Sequence, residues 1–139
     1  APAALEADAP ALSARLVCAT SRNLEEQLRT GRFREELYFR VNGVCLRIPP
    51  LRQRRKDIPR FLGLFVEKFA SLLGRPRPSL SPRTVQAALQ HPWPGNLRQL
   101  ESFARQIVLL GDERAVATEL ESGRFEFLPE SSEGLFSLL

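Results

Sequence analysis

The sequence predicts an α/β chain in two parts: two strands with two helices, then an all-helical part of three helices. Three observations carry this expectation. Short apolar runs of strand length stand at Arg15–Thr20 and Val44–Ile48. Pro49-Pro50 closes the second run and forbids further ladder pairing. Beyond that point apolar residues recur with a helical period, punctuated by proline, glycine and capping residues.

The first run, Arg15-Leu16-Val17-Cys18-Ala19-Thr20, suits a buried strand. Asn23 with Glu26 three residues on forms a capping-box start, Leu24 and Leu28 supply one apolar stripe, and Gly31 ends the helix where a left-handed residue is wanted. A second helix then places Phe33, Leu37 and Val41 on one face until Asn42-Gly43 stops it. Val44, Leu46 and Ile48 alternate with Cys45 and Arg47, the period of a strand. Two strands are marginal without further strands or a covering helix, so this half calls for a larger sheet.

In the second part, Asp57 caps a helix with Pro59 in its first turn. Ile58, Phe61, Leu62, Phe65, Val66, Phe69, Leu72 and Leu73 fit one wide face of that helix. Ser81-Pro82 opens a short helix with Val85, Ala88 and Leu89 inward. His91-Pro92-Trp93-Pro94-Gly95 reads as a corner in which Trp93 is packed. Asn96 with Gln99 caps the last clear helix, striped by Leu97, Leu100, Ala104, Ile107 and Val108 and ended by Gly111. Domain boundaries follow: an Ala/Pro-rich, disordered leader over 1–14, the α/β part over 15–50, the helical part over 51–111, and an acidic linker over 112–139.

Composition narrows the function classes. The 139 residues are 43% apolar and 26% charged, enough to bury a core. Cys18 and Cys45 with a single histidine give neither a metal site nor a disulfide framework, and read as small core residues of a reducing compartment. No apolar run reaches membrane-span length, and the leader lacks the basic and apolar regions of a signal peptide. Both ends read as cut. The net charge of +4 conceals an asymmetry: residues 15–77 hold 15 Lys/Arg against 6 Asp/Glu, whereas residues 112–139 hold 2 against 7. A basic field of that kind suits a polyanion, either nucleic acid or the phosphates of a nucleotide; a solvated face fits equally well.

Four segments in order carry a resemblance that periodicity does not supply. They are Ala19-Thr20-Ser21-Arg22-Asn23-Leu24, Gly31-Arg32-Phe33-Arg34-Glu35-Glu36-Leu37-Tyr38-Phe39-Arg40, Pro49-Pro50-Leu51-Arg52 through Lys56-Asp57-Ile58, and Trp93-Pro94-Gly95-Asn96-Leu97-Arg98-Gln99-Leu100-Glu101. From about Arg15 to Gly111 the chain resembles the C-terminal part of the AAA+ ATPase (sigma-54 interaction) domain of NtrC-type sigma-54-dependent transcriptional activators. The implied fold is the C-terminal remnant of an AAA+ core, two strands plus helices, followed by an all-helical lid of three helices.

The resemblance also implies roles. Thr20 and Ser21 match the first sensor of the γ-phosphate, with Ser21 standing where the family usually has asparagine. Arg34 and Arg40 match arginine fingers that act in trans on the nucleotide of a neighbouring subunit in a homo-oligomeric ring. Placed six residues apart on one helix, they would project about 120° apart. Leu51 and Arg52 lie in the hinge that passes near the adenine, and Arg98 matches the second sensor, reaching the phosphates of its own subunit. Arginine suits such work because its planar fork stays charged and bonds oxygen pairs. A finger contributes about 10³–10⁵-fold in well-studied NTPases.

The implied parent is a bacterial, cytoplasmic activator of the two-component kind. It would use ATP with Mg2+ to remodel the sigma-54 RNA polymerase holoenzyme, and contact DNA through a missing C-terminal domain. These residues include no G-x-x-x-x-G-K-[ST] phosphate loop, no strand ending in an acidic pair and no GAFTGA-like loop. No cofactor, ATP binding or ATP turnover is therefore expected of this chain alone. Two other classes remain open at this stage: a DNA-binding helical module and a catalytically silent oligomerisation or interaction module.

Overall fold

The structure is a computed structural model that describes residues 13–127. Nearly all of the leader and the end of the acidic stretch, 128–139, lie outside the described residues. The chain divides into two compact units, 1–47 and 48–139.

In the first unit, α1 (Leu24–Arg29) starts as its capping residue dictates: Asn23 Oδ1 accepts the Glu26 N–H at 3.1 Å. Gly31 turns the chain at φ 70°, a conformation open to glycine at little cost. The N–H groups of Arg32 and Phe33 then bond the Gln27 carbonyl at 2.8 and 3.1 Å. α2 spans Glu35–Val41, with Arg34 as its N-cap in an extended conformation. The helix expected from Phe33 thus begins two residues later.

The two expected strands are not formed. Arg15–Thr20 and Val44–Ile48 carry no ladder pairing, and Leu16, Val17, Val44, Leu46 and Ile48 are each at least 78% exposed. Strand backbone must find its hydrogen-bond partners on neighbouring strands. Among the described residues neither run has such a neighbour. Cys18 and Cys45 are exposed with these runs and are not core residues. An ion pair of Arg47 with Glu25 links the second run to α1.

The second unit opens on two 3₁₀ turns, Leu51–Gln53 and Arg55–Asp57, and continues through α3 (Ile58–Leu72), α4 (Pro82–Gln90), α5 (Asn96–Leu110) and α6 (Glu113–Glu121). α3 packs along α5 and α4 along α6, while α5 meets α6 and α3 meets α4. Ile58, Leu62, Val66, Leu100, Phe103, Ile107 and Val116 fill the centre with no exposed surface. The bundle of described residues therefore has four helices, not three. α6 looked like linker because its apolar residues are few, yet Val116, Ala117 and Leu120 are buried at helical spacing.

Local signals explain most boundaries. Ser81 Oγ accepts the Thr84 N–H at 3.3 Å, and Pro82 fills the first position of α4. Gly111 ends α5 in the left-handed region at φ 66°. Asp57 is the N-cap of α3, but its carboxylate does not cap; Oδ2 accepts from Arg54 Nε at 2.9 Å instead. The face of α4 is rotated relative to the expected stripe, burying Thr84, Ala87 and Ala88. The stripe of α5 is buried as expected at Leu100, Ala104, Ile107 and Val108, with Gln99 and Phe103 added, while Leu97 is exposed.

Candidate functional site

Exposed cationic side chains stand at α2 in the first unit, and on the two entry turns and the first turn of α5 in the second. In the first unit, Arg34 is exposed at the N-cap of α2 and Arg40 is exposed in its last turn. The two arginines thus mark opposite ends of α2, and the angle expected for residues on one helix does not apply to Arg34. Arg40 Nη2 lies 3.5 Å from Glu36 Oε1, and both side chains are well solvated. An exposed pair at this spacing is worth about 0.3–0.5 kcal/mol. Thr20 Oγ1 accepts the Arg22 N–H at 3.1 Å, which fixes the turn leading into α1, and Ser21 is exposed beside it.

In the second unit the bundle is entered at Leu51, whose side chain is 3% exposed in the core. Arg52 next to it is exposed. Arg54 is drawn inward by Asp57 and by the Phe61 ring, whose centroid lies 5.6 Å from the guanidinium carbon. The basic run therefore presents Arg52, Arg55 and Lys56 to solvent, but not Arg54 to the same degree. Arg98 is exposed in the first turn of α5, where free N–H groups and the helix dipole favour an anion.

The corner that starts α5 is built differently from a capping box. Trp93 is fully buried, donates from Nε1 to the Ala88 carbonyl at 2.7 Å, and packs edge-on against Phe103. His91 Nδ1 accepts the Trp93 N–H at 3.1 Å, and burial holds the imidazole pKa below its usual value. Gly95 is the N-cap, and Gln99 Oε1 reaches back to its N–H at 2.9 Å. That is the half of the box expected from Gln99. Asn96 does not cap. Its Oδ1 accepts the Leu51 N–H at 2.9 Å across 45 residues of sequence. This long-range bond, and the seat of Phe127 against Gly95, were not visible to spacing rules. The paired Asn-Gln pattern was the only local signal, and it pointed elsewhere.

Structure therefore brings Leu51 and the helix bearing Arg98 together through Asn96. Two shallow cavities in this unit, about 260 and 180 Å3, contain neither Leu51, Arg52 nor Arg98. Among the described residues no group of three or more His, Cys, Asp or Glu could hold a metal ion. No helix among them is long and apolar enough to cross a membrane.

A helical unit entered at a buried leucine and bearing an exposed arginine on the first turn of α5 is matched by a known family. Residues 52–125 match the AAA+ ATPase lid domain, so the chain belongs to that family. Residues 5–51 match the sigma-54 interaction domain. The transcriptional regulatory protein ZraR of Escherichia coli (strain K12) is 40% identical over 107 residues, covering 76% of this chain and 24% of that protein. The DNA-binding transcriptional regulator NtrC of Klebsiella pneumoniae is 41% identical over 113 residues, 81% of this chain and 24% of its own. Crystal structures of NtrX from Brucella abortus are also similar. The complex with ATP gives a TM-score of 0.62 at 36% identity over 67% of this chain and 22% of NtrX. The complex with ADP gives 0.68 at 28% identity over 86% and 29%. More particularly, then, the chain is a C-terminal part of the AAA+ domain of a sigma-54-dependent transcriptional activator. It spans about a quarter of the length of the curated relatives it matches.

Proposed function

We propose that this chain supplies the nucleotide-sensing and subunit-bridging part of an ATP-hydrolysing ring that remodels the sigma-54 RNA polymerase holoenzyme in the cytoplasm. Arg98 is the second sensor, contacting the phosphates of ATP held by its own subunit. Arg34 and Arg40 are arginine fingers offered to the nucleotide of a neighbour. Thr20 is the surer member of the first sensor, because the Ser21 hydroxyl is shorter than the usual asparagine amide. At the hinge the Leu51 side chain is spent in the core, so Arg52 is the exposed member. Mg2+ would accompany ATP and neutralise its phosphates, held by acidic residues of the parent protein, and DNA would be contacted by a separate region.

One observation carries this reading. Arg98 stands exposed on the first turn of a helix within a matched AAA+ lid, where a polyphosphate is the natural counter-charge. The exposed positions of Arg34 and Arg40 support the bridging role, since a finger must be reachable from a neighbouring subunit. Bound ATP supplies the phosphoryl group. What these residues supply is charge, placed where charge develops.

The test uses the full-length protein. Arg34→Ala and Arg40→Ala should each bind ATP near the wild-type level while losing hydrolysis by about 10³-fold or more. Mixing either variant with subunits that carry a defective phosphate loop should restore part of the activity, because each supplies what the other lacks. Unchanged hydrolysis in an assembled Arg34→Ala ring would favour a silent oligomerisation module instead. Appreciable ATP turnover by the 139-residue chain alone would refute the division of labour.

A further inference from the structure

The corner ahead of α5 contains two non-glycine residues at positive φ, Trp93 at 50° and Asn96 at 51°. Trp93 is explained by its burial and its bond to Ala88. Asn96 is exposed and contributes nothing to the core, so packing does not account for its backbone. Its side chain instead takes the N–H of Leu51, the residue at which the chain enters the bundle. Leu51 begins a 3₁₀ turn, so its N–H has no partner within that turn and needs one from elsewhere. Asparagine meets both demands: it tolerates the left-handed region, and it carries an acceptor of the required reach.

We propose that Asn96 is a positioning residue that locks the entry segment at Leu51 to the first turn of α5, and so sets the direction in which Arg98 presents its guanidinium to nucleotide. This rests on the second-sensor reading of Arg98. The two residues are separated by about 3 Å of helix rise. A bond that fixes Asn96 therefore fixes the turn from which Arg98 projects. A displacement of the entry segment reaches the first turn of α5 through this side-chain bond, in addition to the core packing of Leu51. The Gln99 bond to Gly95 holds the opposite side of the same turn, leaving the turn little freedom to rotate.

The experiment is a double-substitution cycle in the full-length protein, read by Kd for ATP and by the KM and kcat of hydrolysis. Asn96→Gly keeps the backbone conformation and removes the acceptor; Asn96→Asp keeps both. Asn96→Gly should weaken ATP binding by about fivefold or more, a usual size for coupling between sites. Asn96→Asp should restore it to within about twofold, since the acceptor is retained. In an Arg98→Ala background, Asn96→Gly should have no further effect, because nothing is left to position. In parallel, the Leu51 amide of the 139-residue chain should exchange faster in Asn96→Gly than in Asn96→Asp. Additive effects of Asn96→Gly and Arg98→Ala, or unchanged ATP affinity in Asn96→Gly, overturn the proposal. If wild-type protein binds ATP but Arg98→Ala does so equally well, the second-sensor reading itself fails, and the proposal with it. A uniform loss of Tm without a change in KM or kcat identifies a purely structural bond and also overturns it.

Discussion

Replacing Gly95 with alanine tests whether the α4–α5 corner is as tightly closed as its geometry states. A Cβ at this position would lie 2.5 and 2.8 Å from two ring carbons of Phe127 and 2.8 Å from Gln99 Cβ. Gly95 has φ −86° and ψ 7°, values alanine adopts readily, so any penalty comes from contact and not from the backbone. The Phe127 ring is the end of a side chain and can swing away, whereas Gln99 Cβ is fixed to α5. Overpacking of this kind costs about 1–3 kcal/mol. Alanine recovers about 0.4–1 kcal/mol by restricting the unfolded chain. The net destabilisation spans about 0–2.6 kcal/mol and centres near about 1.3 kcal/mol, a fall in Tm of about 5–10 °C for a unit of this size. Trp93 is the single tryptophan and sits in the same corner, so urea melts followed by its fluorescence report on the right place. In a Phe127→Ala background two of the three close contacts disappear but the fixed Gln99 Cβ contact stays, so the penalty should fall only by what it costs to move the ring, and part of it should remain. A raised midpoint in Gly95→Ala, or a full penalty without Phe127, would refute the reasoning.

Other expectations can be read by similar means. Glu113 accepts the Ser81 N–H at 2.8 Å. Desolvation pushes its carboxyl pKa up, but hydrogen bonds from Thr84 and Ser81, with Arg114 nearby, outweigh this and hold it below the ordinary value. Because the folded value is the lower one, this stabilisation is complete above the unfolded value of about 4.3 and is lost as pH falls below it. Urea midpoints in Glu113→Gln should lose that part of the acid dependence, and an identical pH profile would count against the bond. Trp93→Phe removes the donor to the Ala88 carbonyl as well as ring volume, and should cost about 2–4 kcal/mol in denaturant melts. Lys68→Ala breaks a 2.7 Å pair with Glu101 whose side chains are 57% and 31% exposed, and the change should stay within about 1 kcal/mol. A larger loss in high salt would contradict a surface electrostatic role.

Legibility in the sequence followed the range of the interaction. Asn23, Gly31, Ser81-Pro82 and Gly111 announce helix ends through bonds a few residues long, and each acts as its chemistry requires. The apolar spacing of α3 predicts a face that the structure buries at Ile58, Leu62, Val66 and Phe69. Strands are different. Alternation at Val44–Ile48 describes compatibility with a sheet, but the hydrogen bonds must come from other strands, and none is present among the described residues. α6 was missed because nine residues with three buried positions make a faint pattern, sufficient only once α4 and α5 offer it a surface. The positions of Arg34, Arg40 and Arg98 followed from a resemblance spread over several segments, whereas the Asn96–Leu51 bond spans 45 residues and left no periodic trace.

The corner from Trp93 to Asn96 departs from local preference twice, and tertiary contacts must hold it there. A left-handed backbone costs about 1–2 kcal/mol at an ordinary residue and less at asparagine. Against this, burying an indole removes about 150–250 Å2 from water, worth about 4–6 kcal/mol, before its hydrogen bond to Ala88 is considered. The corner is thus stabilised by more than its strain, and the surplus comes from Trp93, not from the exposed residues after it. Asn96 and Gly95 are then free to be chosen for direction: one reaches Leu51, and the other leaves room for Phe127. The start of α5 is consequently held from the entry segment, from α4, from within α5 and from the stretch after α6. Four restraints therefore converge on the first turn of a helix whose later turns are already buried in the core, and together they fix the direction in which that turn starts.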